Sequence, residues 1–177
     1  MKKMLLIIAA AVLMIALYAV GTAAAAKVTV VVKPGALTLV PSADSALLDA
    51  TLTGDDVVTT GALGALEAKD ARGNDNGWHL NVVATNFEEI SDPSKTITAA
   101  GFTVTAVNGV EITGSGSGTV NESVGGLSGA GLGMLDSPNG DGYRGRYGAT
   151  PDLQLTVPAA TYVGTYASTV TETLTSN

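Results

Sequence analysis

The sequence predicts an all-β protein, an antiparallel β-sandwich of Ig-like or Greek-key type with a long Gly-rich loop. Three observations carry that expectation. Threonine and valine, both strand formers, dominate everything after Lys27; short alternating runs recur between Gly, Asn, Asp and Pro; and no stretch there holds a convincing helical period. The chain has 22 glycines and no cysteine, so turns are plentiful and the fold must stand on packing and hydrogen bonds alone.

Residues 1–26 read as a signal peptide. Lys2 and Lys3 open it, a long apolar run follows, and small residues at Ala24 and Ala26 place cleavage before Lys27. The run is also long enough to serve as an uncleaved anchor. Residues 27–177 then form one β domain, since a chain of roughly 150 residues buries about two thirds of its unfolded surface in a single core. The expected location is secreted, at the cell surface or cell wall. Loss of Lys2 and Lys3 takes the formal charge from −7 to −9. That balance argues against nucleic acid as a partner, because phosphate binding needs clustered Lys and Arg.

In chain order, the clearest predicted strands are Lys27–Lys33, Trp78–Phe87, Phe102–Val107, Asp152–Val157 and Tyr162–Leu174, with further strands around Asp49–Thr53 and Ala65–Asp70. Within Trp78–Phe87, strand alternation puts Trp78, Leu80, Val82 and Ala84 on one face and His79, Asn81, Val83 and Thr85 on the other. Within Tyr162–Leu174, Tyr166, Val170 and Leu174 share a face with Ser168 and Glu172, and a threonine row occupies the other. The stretch Gly114–Gly145 is expected to be a long surface loop, because so many glycines raise the entropy lost on ordering.

Motifs for chemistry are weak. His79, the only histidine, has no cysteine partner and lies on a polar strand face. Glu88–Glu89 and Asp55–Asp56 are neighbours, which on a strand point to opposite faces and cannot flank one bond. Gly140 to Gly145 matches the letters G-x-G-x-x-G without the flanking strand and helix that would make a phosphate site. Asp136–Gly142 places oxygen ligands at alternate positions as a calcium loop would, yet Gly148 stands where the closing carboxylate belongs, and turn chemistry explains the same residues. The expectation is therefore a chain that is not an enzyme, with no cofactor and no metal.

Two stretches carry a resemblance. Asp70, Arg72 and Gly73 precede Trp78-x-Leu80, and far along the chain Tyr166 precedes Val170, Thr171, Thr173 and Leu174. Together, and behind a signal peptide, they resemble the two motifs of the WxL domain, a cell-surface module of low-GC Gram-positive bacteria; Pro151–Tyr166 is similar to that family's approach to the second motif. The resemblance covers nearly all of residues 27–177. It implies a noncatalytic domain that attaches noncovalently to cell-wall polymer (peptidoglycan) and acts with other surface proteins, with Trp78, Leu80, Tyr166, Val170, Thr171, Thr173 and Leu174 as its binding residues. Glu172 departs from it, standing where the family has its second Trp. A carboxylate on that face needs either an open site or a cation.

Trp78 itself supports two expectations: a core anchor, or a shelf against glycan formed with Tyr162 or Tyr166. A different class of function also fits the residues. The alternating Lys27–Lys33 strand could pair with a neighbour's sheet edge, which would make the chain a self-associating subunit of an extracellular filament or surface assembly.

Overall fold

The computed structural model describes residues 29–43, 49–114, 118–140 and 142–177. The expected signal peptide and its cleavage site lie outside them, as do Lys27 and Val28 of the first predicted strand and Asp141 of the Asp136–Gly142 loop. The chain divides into two units, Met1–Val32 and Lys33–Asn177. All strands of the described residues belong to the second.

Among the described residues fifteen strands are formed: β1 Leu37–Val40, β2 Val57–Ala62, β3 Leu66–Asp70, β4 Trp78–Ala84, β5 Phe87–Glu89, β6 Thr96–Ile97, β7 Phe102–Ala106, β8 Val110–Gly114, β9 Asn121–Glu122, β10 Gly125–Gly126, β11 Leu132–Ser137, β12 Gly145–Ala149, β13 Asp152–Val157, β14 Tyr166–Ala167 and β15 Val170–Ser176. They build four antiparallel sheets in the orders β1-β3-β12-β8, β10-β7-β13-β2, β15-β4-β11-β9 and β14-β5-β6. Consecutive strands join these sheets in pairs. Only Leu63–Ala65 separate β2 from β3, and only Thr150–Pro151 separate β12 from β13, so the first two sheets continue into one another. The same holds for β4 with β5 and β14 with β15 in the other two. The sheets pack as an all-β sandwich around one core that includes Leu66, Trp78, Leu80, Val82, Leu127, Met134, Leu135 and Leu155. Phe87 meets Phe102 edge-on across that core, centroids 5.0 Å apart.

Strands β13 and β7 lie where the alternation puts them, and β4 buries Trp78, Leu80, Val82 and Ala84 while His79 stays exposed. Trp78–Phe87 is broken at Thr85–Asn86, where the Asn86 carboxamide accepts the Ala99 N–H at 3.0 Å and the strand passes to the next sheet. Tyr162–Leu174 is likewise interrupted: residues 162–165 form no strand and bend at Val163–Gly164, and β14 and β15 are the parts that pair. Asp49–Thr53 forms no strand.

Two larger corrections follow. Thr29–Lys33 is not a strand: Val30, Val31 and Val32 are 81%, 78% and 85% exposed, because no neighbouring strand among the described residues receives them. Gly114–Gly145 is not a long loop. It contains β9, β10 and β11, and β11 lies between β4 and β9 with Met134, Leu135 and Ser137 fully buried. A shift of register between Gly133 and Leu135 turns two consecutive side chains inward, which hides the strand from a search for alternation.

Candidate functional site

The two separated stretches come together. Strand β15 pairs with β4, in the register Val170↔Ala84, Thr171↔Val83, Glu172↔Val82, Thr173↔Asn81, Leu174↔Leu80, Thr175↔His79 and Ser176↔Trp78. The turn before β4 closes this pair at one end. Asp70, at the end of β3 and only 3% exposed, holds the guanidinium of Arg72 by two hydrogen bonds, from Nε at 3.0 Å and from Nη2 at 2.7 Å. The same carboxylate accepts the Arg72 N–H at 3.0 Å. Arg72 then donates to the carbonyls of Asn76 and Gly77 and to the Ser176 hydroxyl. Its hydrogen bonds to Asp70 raise the guanidinium above its ordinary pKa, so it is charged at every accessible pH. Gly73 supplies the left-handed backbone of the turn, with φ +71. Gly77 is required for space: a Cβ there would run into the Ser137 carbonyl and the Asn177 side chain.

Behind this clasp, Trp78 is 1% exposed and Leu80 is fully buried. The indole N–H donates to the Tyr143 carbonyl at 3.2 Å, so the one polar atom of Trp78 is satisfied inside the fold. Tyr143 is buried as well, and its hydroxyl lies within hydrogen-bonding distance of the Thr113 and Arg146 carbonyls, 3.0 and 3.1 Å. Burial, with Glu111 nearby, pushes that hydroxyl up to about 12. Asn177 fastens the end of β15: its N–H donates to the Gly77 carbonyl at 3.0 Å and its side-chain amide to the Ser137 carbonyl at 3.0 Å.

The outward face of the same strand pair is open. Thr171, Thr173 and His79 are exposed, with Asn81 and Val83 half-buried among them. His79 lies between Thr175 Oγ1, 2.7 Å from Nε2, and Asn177 Oδ1, 2.8 Å from Nδ1. Opposite Asn81 stands Gly133, beside which a side chain would meet nothing within 4 Å. The result is a shallow face of hydroxyl, carboxamide and imidazole groups.

No known protein family matches this chain. No curated protein does either.

Of the residues expected to bind, Thr171 and Thr173 are exposed, Tyr166, Val170 and Leu174 are half-buried, and Trp78 and Leu80 lie in the core. Trp78 and the tyrosines do not form a shelf. Trp78 opens β4 whereas Tyr166 pairs with Glu89 beyond its far end, and the six steps from Trp78 to Ala84 alone span about 20 Å. At that far end the Tyr166 hydroxyl donates to the Tyr162 carbonyl at 2.9 Å, and Lys95 Nζ sits 5.0 Å from the Tyr162 ring centroid. Tyr162 and Tyr166 border an open cavity of about 820 Å³ floored by Phe87, Phe102 and Leu155.

Glu172 is held within the fold. It accepts the backbone N–H of Ser42 at 3.0 Å and the Ser42 hydroxyl at 2.5 Å, tying β15 to the segment after β1. The oxygens of the Asp136–Gly142 loop also have internal duties: Ser137 Oγ accepts the Tyr143 N–H at 2.7 Å and Asn139 Oδ1 the Gly77 N–H at 2.8 Å. Ser42, Tyr143, Ser176 and Asn177 were invisible as partners in the sequence, since each acts across 40 residues or more. The one usable signal was Arg72, a five-donor cation in a turn that holds only one nearby carboxylate fit for burial.

Proposed function

We propose that the chain is a noncatalytic, exported cell-surface domain that attaches noncovalently to cell-wall polymer (peptidoglycan), with other surface proteins as further partners. The observation that carries this reading is the in-register pairing of β4 with β15, because it sets the two stretches of the WxL resemblance side by side and leaves their polar faces open. The contact surface is the row Thr171, Thr173, Asn81 and His79 rather than Trp78 and Leu80, which support it from beneath. Hydroxyl and carboxamide groups on a flat strand pair suit the hydroxyl and acetamido groups of a glycan strand, and the bare backbone at Gly133 leaves room for a sugar ring. Each such bond contributes about 1 kcal/mol net, so attachment depends on several at once.

The noncatalytic part of the reading is supported by the adjacent carboxylates. Asp56 accepts the Ala159 N–H and Glu89 the Ser91 N–H, so each acts as a backbone acceptor rather than as half of an acid and base pair.

Cosedimentation of the purified chain with isolated cell walls tests the proposal. The wild type is expected in the pellet, and Thr171→Val with Thr173→Val, which keeps shape and strand propensity, should weaken binding about tenfold or more. Recovery of all wild-type protein in the supernatant, or equal binding by the double variant, overturns it.

The alternative reading, a subunit of an extracellular assembly built by β-strand pairing, is favoured by one observation: the exposed valines that precede β1.

A further inference from the structure

The sheet that begins with β1 ends at β8, a strand with little cover. All five of its residues are exposed, Val110 and Ile112 by 58% and 42%. One edge pairs with β12; the other carries no strand among the described residues. Val110 and Ile112 project on one face, the face on which Ile112 also covers Gly148, while Glu111 projects on the other. An open edge with apolar side chains is a template for another strand.

The same chain holds a strand-forming run with no partner. Among the described residues, none of residues 29–34 makes a hydrogen bond, and Val30, Val31 and Val32 are each more than three-quarters exposed. Lys33 follows them and has no ion partner among the described residues; Glu111 on β8 has none either. In a chain of net charge −7, the lysine that ends the run and the glutamate on the β8 edge are complementary charges.

Lys33 cannot take its place on the β8 edge of its own molecule. Gly35 is held on β3's end by its N–H to the Ala71 carbonyl, 2.8 Å. Lys33, two residues earlier, can extend only about 7 Å from it, whereas β8 is three strands from β1, about 14 Å at the ordinary spacing.

We infer that residues 29–33 of one copy add as a strand to the free edge of β8 on a second copy, with Val30 and Val32 set against Val110 and Ile112 and Lys33 near Glu111. The donor and acceptor are different surfaces, so the contact is head-to-tail and propagates from molecule to molecule. This names the two halves of the contact for the assembly reading and rests on that reading; it uses no residue of the threonine face.

The absence of cysteine makes the test direct. Val31→Cys and Glu111→Cys variants of the exported chain, whose side chains the pairing sets opposite one another, are mixed in equal amounts, as the cell processes them, and oxidised. The mixed disulfide should exceed either same-variant dimer, and Ile112→Lys should weaken self-association, read by sedimentation, about tenfold or more with an unchanged melting temperature. Val31→Asp, in a segment outside the sheets, should weaken it equally and guards against misfolding of the β8 variant. Same-variant dimers as abundant as the mixed one, or association indifferent to both charged variants, overturns the pairing of these segments. Filaments in electron micrographs of the Ile112→Lys chain would show assembly through another edge, and a wild type monomeric at every concentration would sink the assembly reading as well.

Discussion

Arg72 is the residue on which the β4 end of the molecule depends. Its guanidinium joins the buried carboxylate of Asp70, two carbonyls of the turn and the last residue of β15. Arg72→Ala leaves Asp70 buried without its counter-charge, a loss of about 3 kcal/mol, measurable by urea denaturation; Arg72→Lys should recover only part of it, because an ammonium cannot reproduce the bidentate fork. Trp78→Ala should cost about 4 kcal/mol through the cavity it opens. Tyr143 gives the fold a sensitivity to alkali. Its hydroxyl is held protonated to about pH 12 against an ordinary value of 10.0, so its contribution is whole below pH 10 and disappears as pH rises toward 12. Thermal melts across that range should show a steep fall in stability that is shallower in Tyr143→Phe. The face shared by Trp78, Leu80, Val82 and Ala84 and the polar face of His79 were legible from alternation, whereas the choice between a core anchor and a glycan shelf for Trp78 was not. The partners of Trp78, Arg72 and Glu172 were not, because side chains that meet across 65, 104 and 130 positions leave no local pattern.

At the scale of elements, the legible strands were those whose period stays unbroken, β4 and β13 above all. Strand β11 was obscured by its glycines and by the bulge that buries Met134 and Leu135 together. Leu135→Ala separates the two readings: in a loop it would be near neutral, and in this interior strand it should lower stability by about 3 kcal/mol. The valine run fails in the opposite sense. Residues 30–32 have the highest strand propensity in the chain and form none, since propensity is realised only where an edge offers backbone partners. Strand β15 shows how a departure from a motif can be absorbed locally: Glu172 is accommodated through Ser42, and Glu172→Ala should cost about 1.5 kcal/mol by releasing that N–H and hydroxyl.

For the whole molecule, the all-β sandwich was legible from composition and turn spacing, whereas the order of strands in the sheets was not. Most sheet neighbours are distant in sequence: β1 pairs with β3, β12 with β3, β15 with β4. Loop closure precedes those contacts, so refolding should be slow for the chain's size, milliseconds to seconds in stopped-flow experiments. One shared core predicts that Lys33–Asn177 unfolds in a single transition.

The clasp at Arg72 also determines how the domain would bear a load. Leu37 pairs with Asp70 and Ser176 with Trp78, so the first and last strands have their outer ends at the same pole. Tension applied through those ends would pull β1 and β15 away from their neighbours one rung at a time instead of shearing a whole ladder at once. Such a domain gives way at low force and recoils when released, and optical-tweezer traces of the tethered chain should show a shallow, repeatable unzipping that begins when the Arg72 contact to Ser176 opens.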